Sequence, residues 1–314
     1  MPITTFAFLF PGQGSQAVGM LDAWGDHPAV VQTLAEASEA LGADMARLIH
    51  EGPKEQLDLT ANTQPVMLTA GIACYRAWMA ETGLAPSVVA GHSLGEYSAL
   101  VAAGALTLAD AVPLVRFRAQ AMQEAVPVGA GAMAAILGMD ADAVRAGCAQ
   151  AAADSGEVVE AANFNDPKQT VISGSQAGVA RACELLKAAG AKRTLPLPVS
   201  APFHCSLMKP AAERLKERLA SVALQAPAIP VLNNIDVAVE SDPARIRDAL
   251  YRQAFGPVRW AESVQALRAR GMAHLIECGP GKVLAGMVKR IDAEAVSAAL
   301  FDPASLADVR GVLA

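Results

Sequence analysis

The sequence predicts an α/β protein in which a mostly parallel sheet has helices on both faces and a smaller α/β unit is inserted into the chain. Three short apolar runs support the main sheet: Phe6–Phe10, Val88–Ala90 and Leu275–Glu277. A segment with helical periodicity follows each run, and strands that alternate with helices in this way form parallel sheets.

The middle of the chain has a different order of elements, which predicts the inserted unit. The expected elements are a strand at Ala132–Leu137, a helix at Ala141–Ala153, strands at Val158–Ala162 and Gln169–Ile172 joined by a turn at Asn165–Pro167, a helix at Ala177–Ala189 and a strand at Lys192–Pro196. This β-α-β-β-α-β order is the ferredoxin-like plan. Borders rich in Gly and Pro flank it. We therefore predict a subdomain at residues 128–199, inserted into a discontinuous domain of residues 1–127 and 200–314.

Composition argues against several classes of function. The 314 residues are 53% hydrophobic with a net charge of −6, and no basic run is interleaved with aromatic residues, so we expect no nucleic-acid partner. Apolar stretches are interrupted well before the roughly 18 residues that suggest a membrane span. No basic segment precedes the first apolar run, so we expect no signal peptide. The cysteines lack metal-ligand spacing, which favours free thiols in a reducing cytoplasm and no metal site. They are Cys74, Cys148, Cys183, Cys205 and Cys278.

Residues 91–97 read Gly-His-Ser-Leu-Gly-Glu-Tyr and follow the short apolar run that ends at Ala90. A G-x-S-x-G pattern between a strand and a helix is typical of a nucleophile elbow, a sharp turn that exposes a serine hydroxyl. Ser93 is therefore the candidate nucleophile. The alternative is structural: Ser93 caps the helix, and Glu96 completes a capping box.

A serine nucleophile needs a base, and His204 is the best candidate. It ends the proline-containing segment Ser200–His204 at the border of the predicted insertion. His27, His50 and His274 lie where structural or solvated roles are more common. His92 precedes Ser93, and adjacent side chains on an elbow point apart, so we expect it to brace the turn.

No acidic residue is clearly placed to complete a triad with Ser93 and His204. A backbone carbonyl can orient the imidazole instead, because that role requires only an acceptor for the second ring N–H. The segment Phe10–Gln16 follows the first strand and is either a plain Gly-rich turn or a second loop beside the elbow. Such a loop supplies one donor of an oxyanion hole, and the other is the N–H of Leu94.

Arg118 lies within the apolar stripe of a helix predicted from Leu108 to Ala125, whereas Arg116 lies on another face. A buried guanidinium is costly unless it is paired. Its partner is either an internal carboxylate or a carboxylate on the substrate, held by two hydrogen bonds.

Taken together, these segments resemble the malonyl-CoA:acyl-carrier-protein transacylases over nearly the whole chain. The matching blocks are Phe10–Gln16, Gly91–Leu100, Arg116–Ala125, Ala162–Gly174, Ala201–Met208 and Glu277–Lys282.

The resemblance implies an α/β-hydrolase-like domain with a ferredoxin-like insertion, and it assigns roles to individual residues. Ser93 is acylated, His204 is its base, Arg118 binds the malonyl carboxylate and Gln13 belongs to the oxyanion hole. Gln253 supplies the backbone acceptor for the histidine. We also place Gln253, His92 and Phe203 among the substrate-binding residues. Phe203 is of interest because a phenylalanine before the histidine accompanies malonyl in related polyketide acyltransferases.

The resulting prediction is transfer of malonyl from malonyl-CoA to the phosphopantetheine thiol of acyl carrier protein, supplying extender units for fatty acid synthesis. No cofactor is expected, because the CoA thioester is a substrate. Alternatives are a serine thioesterase or esterase, an acyltransferase of polyketide synthesis, and a non-catalytic module that binds carrier protein. Two basic clusters are candidates for carrier docking, or are merely solvated ends: Lys187, Lys192 and Arg193, and Lys282, Lys289 and Arg290.

Overall fold

Residues 5–314, the part of the chain described by the computed structural model, form two sheets and thirteen α-helices. The strands are β1 (Phe6–Phe10), β2 (Val88–Gly91), β3 (Gly131–Leu137), β4 (Val159–Asp166), β5 (Gln169–Ser175), β6 (Arg193–Pro196), β7 (Val231–Leu232), β8 (His274–Cys278) and β9 (Val296–Leu300). The helices are α1 (Pro28–Leu41), α2 (Met45–Glu51), α3 (Lys54–Leu57), α4 (Thr60–Thr82), α5 (Gly95–Ala102), α6 (Leu108–Glu124), α7 (Ala141–Ser155), α8 (Gln176–Ala188), α9 (Lys209–Ala220), α10 (Pro243–Phe255), α11 (Trp260–Ala269), α12 (Val283–Ile291) and α13 (Pro303–Val312).

The first sheet has five strands in the order β7-β2-β1-β8-β9, and every neighbouring pair is parallel. The predicted parallel sheet is therefore confirmed. In the register of its central strands, Phe10 lies beside Gly91. The loop after β1 and the turn after β2 thus leave the sheet side by side at its carboxyl edge, where open α/β sheets bind ligands.

Both faces of this sheet are buried. Along β1, Phe6, Phe8 and Phe10 pack into the larger core, whereas Ala7 and Leu9 point into a second core. Helices α4, α5 and α6 contribute to the larger core, and α11 and α12 contribute to the second. Continuous apolar strands are typical of parallel sheets covered on both faces.

The second sheet is antiparallel, with four strands in the order β4-β5-β3-β6. Its elements follow in the chain as strand, helix, strand, strand, helix, strand. One face packs against α7 and α8 around Ile136 and Ile172. The other face carries a smaller apolar cluster around Met133 and Val171, against which Phe203 packs.

The hairpin of the second sheet differs from the prediction. We expected a strand to end at Ala162 and a turn at Asn165–Pro167, but β4 continues to Asp166 because it keeps pairing with β5, with Asp166 opposite Gln169. Asp166 then accepts a hydrogen bond from the Lys168 N–H at 2.9 Å, which closes a tighter turn than expected.

One edge of the second sheet is joined to the first unit by backbone and side-chain bonds. The N–H of Phe164 donates to the carbonyl of Val258, and the N–H of Val258 donates to the carbonyl of Ala162, both at 2.9 Å. Arg290 of α12 forms an ion pair with the buried Asp166 at 2.7 Å. Strand β4 is thereby held against the segment that leads into α11.

Within residues 5–314, none of the helices combines the length and the apolar character that crossing a membrane requires.

Candidate active site

The turn between β2 and α5 has the conformation of a nucleophile elbow. Ser93 has a φ of 53°, in the left-handed region that residues other than glycine rarely adopt. A Cβ at Gly91 would lie 1.9 Å from the Gly95 carbonyl carbon, and one at Gly95 would lie 2.0 Å from the Phe10 carbonyl oxygen. The two glycines therefore allow the turn to close against β1.

The alternative role for Ser93 as a helix cap is wrong. Helix α5 begins at Gly95, and the residue that precedes it, Leu94, makes no side-chain capping bond. The Glu96 carboxylate does not turn back to the elbow backbone, because it binds Asn234 and Gln253 instead.

Asn234, in the loop after β7, joins the two sides of the elbow. Its Oδ1 accepts from the Ser93 N–H at 2.7 Å, and its Nδ2 donates to the Gly91 carbonyl at 2.7 Å. The residue is fully buried, so both bonds are shielded from water. These bonds hold the strained turn in its observed conformation.

His204 approaches the serine from the segment between β6 and α9. Its Nε2 lies 2.7 Å from Ser93 Oγ, and its Nδ1 lies 2.9 Å from the backbone carbonyl oxygen of Gln253. A carbonyl only accepts, so Nδ1 carries the proton and Nε2 is free to accept one from the serine. Ser93 and His204 form a dyad whose imidazole is oriented by the backbone.

The electrostatic surroundings keep the imidazole neutral. Burial, reinforced by the positive charge of Arg118, lowers the pKa of His204 to about 3. At neutral pH the ring is therefore able to act as a base.

Arg118 projects from α6 into the same place and is only 2% exposed. Its Nη1 donates to Gln64 Oε1 at 2.9 Å, and its Nη2 donates to Gln253 Oε1 at 3.1 Å and to Ser93 Oγ at 3.3 Å. Its Nε has no partner in the described part of the chain, and no carboxylate there forms an ion pair with it. The internal ion pair considered from the sequence is thus not found among residues 5–314.

These side chains face a cavity of about 770 Å³ between the first unit and the second sheet. Ser93, His204 and Arg118 contribute polar groups to its lining. Met133, Leu197, Val199 and Phe203 form an apolar wall, and the remaining lining residues are Gln13, Gly14, Gln16, Lys54, Asp58, Gln64, His92, Leu94, Asn163 and Pro198. The cavity thus combines an apolar wall with a few convergent polar groups, as small-molecule sites do.

Two backbone donors at this cavity are unused. Among residues 5–314, the N–H groups of Gln13 and Leu94 make no hydrogen bond. The loop after β1 packs tightly on the elbow, since a Cβ at Gly12 would lie 2.7 Å from the His92 carbonyl oxygen. Free N–H groups on two adjoining loops are the arrangement that stabilises an oxyanion.

His92 connects the elbow to the second sheet. Its Nε2 lies 2.9 Å from Asn165 Oδ1, and its ring is tilted on Trp260 with centroids 5.4 Å apart. Burial lowers the pKa of His92. These contacts agree with a bracing role, and the residue also lines the cavity.

Comparison with known families gives the chain a place among acyltransferases. The family model described as "Acyl transferase domain" matches residues 7–302. The chain belongs to this acyltransferase family.

Close relatives match this chain over almost their full length. The chain is 54% identical to the malonyl CoA-acyl carrier protein transacylase of Escherichia coli K12, over 97% of this chain and 98% of that protein. It is 64% identical to the crystal structure of acyl-carrier-protein S-malonyltransferase from Burkholderia pseudomallei 1710b, with a TM-score of 0.96 and coverage of 98% and 99%. A malonyl-transacylase solved in complex with a type II polyketide synthase acyl-carrier protein is 48% identical, with a TM-score of 0.96 and coverage of 98% and 99%.

The structure of this acyltransferase brings the candidate residues together. The cavity is lined by seven of them: Gln13, His92, Ser93, Leu94, Arg118, Phe203 and His204. Gln253 lies behind them, and its backbone and side chain bind His204 and Arg118. The other histidines lie elsewhere: His27 caps α1, His50 pairs with Asp22, and His274 begins β8.

Sequence reasoning missed the residues that support this acyltransferase site. Asn234, Gln64 and Glu96 are buried polar residues in contact with the elbow or with Arg118. A signal was present, since Glu96 and Gln64 each lie in an apolar helix and Asn234 follows the apolar pair of β7. Buried polar residues in such settings require partners, which the sequence does not name.

Proposed function

We propose that this acyltransferase moves the malonyl group of malonyl-CoA to the phosphopantetheine thiol of acyl carrier protein, through a malonyl ester on Ser93. Our choice of acyl group rests on the surroundings of Arg118. Its buried guanidinium lies 3.3 Å from Ser93 Oγ and lacks a carboxylate partner among the described residues. A substrate carboxylate would complete it with charge-assisted hydrogen bonds. The names of the relatives above support the same reaction.

In the first half-reaction, His204 Nε2 takes the proton of Ser93 Oγ as the oxygen attacks the thioester carbonyl carbon. The carbonyl oxygen becomes an oxyanion next to the free N–H groups of Gln13 and Leu94. When the tetrahedral intermediate collapses, the carbon–sulfur bond breaks, and the imidazolium returns its proton to the CoA sulfur.

The second half-reaction runs the same steps in reverse. His204 takes the proton of the carrier thiol, the sulfur attacks the ester carbonyl, and Ser93 Oγ leaves with the proton from the imidazolium. The backbone carbonyl of Gln253 keeps the ring in the required tautomer through both steps. No cofactor takes part.

We propose three further points about the protein. We divide the chain into a catalytic domain of residues 1–127 and 200–314 and an inserted ferredoxin-like subdomain of residues 128–199. This division is supported by the two separate sheets. We place the reaction in fatty acid synthesis and the protein in the cytoplasm, where the cysteine pattern favours free thiols.

Intact mass spectrometry tests the covalent step. Malonyl-CoA should add one malonyl group to the wild-type protein and none to Ser93→Ala, and carrier protein should then remove the group and acquire it. Release of free malonate without an adduct, in the absence of carrier protein, would show a hydrolase instead.

A further inference from the structure

A buried carboxylate lies behind the elbow, and the mechanism above does not use it. Glu96, in the first turn of α5, is 2% exposed. One of its oxygens, Oε2, accepts from the Asn234 backbone N–H at 2.9 Å and from Gln253 Nε2 at 2.9 Å. It makes no hydrogen bond to Ser93, His204 or Arg118 in the described part of the chain.

The two partners of Glu96 hold the reacting groups. The Asn234 side chain binds both sides of the elbow, at Gly91 and Ser93. Gln253 binds three groups: its backbone carbonyl accepts from His204, its Oε1 accepts from Arg118, and its Nε2 donates to the Ser93 carbonyl at 3.0 Å. One carboxylate oxygen is therefore connected to the nucleophile, the base and the arginine through a single intervening hydrogen-bonded residue, either Asn234 or Gln253.

The carboxylate also determines how the Gln253 amide faces. An ionised carboxylate only accepts, and a guanidinium only donates. The amide lies between them with Nε2 toward Glu96 and Oε1 toward Arg118. The reversed amide would place its oxygen against the carboxylate and its N–H groups against the guanidinium, so the observed orientation is strongly preferred.

We propose that Glu96 is a positioning residue for acyl loading, which holds Asn234 and the Gln253 amide so that Ser93, His204 and Arg118 keep their relative places. The inference rests on the proposed function only for the identity of the acyl group. It predicts that the acceptor oxygen of Glu96 matters for the rate of Ser93 acylation as well as for stability.

The charged surroundings of Glu96 give the inference a pH signature. Burial raises the pKa of Glu96 to about 7, although Arg118 on α6 opposes the shift. Asp236, in the loop after β7, adds to the shift but is itself paired with Arg252, and Tyr97 is the neighbouring titratable group on α5.

Protonation of Glu96 weakens it as a hydrogen-bond acceptor and removes the preference for one orientation of the Gln253 amide. Acylation at saturating substrate should therefore slow as the pH falls through about 7. His204 does not produce this change, because its pKa is lowered to about 3.

The test measures the single-turnover rate of malonyl adduct formation at saturating malonyl-CoA from pH 6 to 9, by rapid quenching and intact mass, together with Tm. Glu96→Ala should be slower on the order of 10- to 100-fold, the size of effect expected when reacting groups are misplaced by a fraction of an ångström to one ångström. Glu96→Gln is neutral at every pH, so it should lose the change near pH 7 and show throughout a rate close to that of the wild-type protein at low pH. Its carbonyl acceptor should keep that rate above the rate of Glu96→Ala.

Glu277 is the matched control. It is fully buried in β8, burial also raises its pKa to about 7, and its Oε2 accepts from the Ala285 N–H at 2.8 Å, away from the site. Glu277→Gln should keep the wild-type rate and the wild-type pH dependence even if Tm changes.

The outcomes separate this inference from the proposed function. If the wild-type protein forms no malonyl adduct, the proposed function is wrong. If it does, the positioning role is overturned by a folded Glu96→Ala with the wild-type rate, by a Glu96→Gln as slow as Glu96→Ala, or by a change near pH 7 that persists in Glu96→Gln. If Glu96→Ala does not fold, the rate and pH profile of Glu96→Gln decide alone.

Discussion

Arg118 and His204 have different roles in the proposed reaction, with Arg118 selecting the acyl group and His204 transferring protons. Each is buried and bound to Gln253, but one contributes a permanent charge and the other a neutral acceptor. Under the proposed function, the guanidinium therefore selects the acyl group, and the imidazole moves protons whatever the acyl group is. Substitutions at the two positions should have different patterns across substrates.

Arg118→Ala should lose malonyl transfer by roughly 100-fold or more, since hydrogen bonds to charged groups contribute about 1.5–3 kcal/mol each. Acetyl transfer should be kept or increased, because acetyl has no carboxylate to bind. Arg118→Lys should recover only part of the malonyl rate, as an ammonium lacks the planar pair of donors. The measurement is transfer from malonyl-CoA and acetyl-CoA by each variant. An equal loss for both substrates, in a folded protein, would assign Arg118 a structural role.

His204→Ala should lower the acylation rate by about 10²–10⁴-fold, the usual contribution of a general base. His274→Ala is the control, since His274 begins β8 away from the cavity and its buried Nδ1 has no partner among residues 5–314. Single-turnover acylation compares the two variants. Similar losses at both positions would argue against His204 as the base.

At the scale of elements, the site depends on how closely β1, β2 and α5 approach one another. Gly91 and Gly95 leave no space for a side chain against neighbouring backbone, and Asn234 fastens the turn from a separate loop. Backbone cannot move aside as a flexible side chain can, so this geometry tolerates little change.

Gly95→Ala tests this packing. The new methyl would lie 2.0 Å from the Phe10 carbonyl oxygen, so α5 must shift and Ser93 acylation and Tm should both fall. Gly286→Ala in α12 is the control, because its methyl would lie 3.5 Å from Arg290 Nη1, an ordinary contact. That variant should match the wild type or gain up to about 1 kcal/mol in unfolding free energy. A Gly95→Ala protein with wild-type Tm and activity would contradict the argument.

At the scale of the whole molecule, long apolar patterns were predictable and short or distant features were not. The strands predicted at Phe6–Phe10 and Val88–Ala90 agree with the structure to within a residue, because such runs are buried on both faces. Strand β7 has two residues, too few for any periodicity. The grouping of Ser93, His204 and Arg118 at one site could be predicted from motif and pattern. Asn234 could not, since its role exists only after residues 141 positions apart meet.

Electrostatics across the molecule suggest where carrier protein docks. The resemblance implies an acidic carrier, yet this chain has a net charge of −6, so a local basic patch must outweigh the repulsion. Lys187, Lys192 and Arg193 are exposed, and no ion pair involves them in the described part of the chain. In the other cluster Arg290 is paired with Asp166 and Lys282 lies over the Phe301 ring, which leaves Lys289 as the freer charge.

Charge reversal at Lys187 or Lys289 should slow transfer to carrier protein, and the effect should shrink as salt is added. Acylation by malonyl-CoA should change less. Lys216→Glu, at an exposed position over the Tyr251 ring, makes the same change in net charge and serves as the control. Salt-dependent kinetics with purified carrier protein provide the measurement. If neither reversal differs from the control at low salt, docking takes place elsewhere.

The short distance between Arg118 Nη2 and Ser93 Oγ, 3.3 Å, has a consequence for chain length. Because α6 and the elbow are both held rigidly, an acyl group whose carboxylate binds the guanidinium can reach the serine only if few atoms separate its two ends. Under the proposed function we therefore expect the site to discriminate by acyl length. A dicarboxylic acyl group with one extra methylene carries the same charge and can bind the same arginine, but its carbonyl carbon should not reach the position that the carbonyl carbon of a shorter group takes.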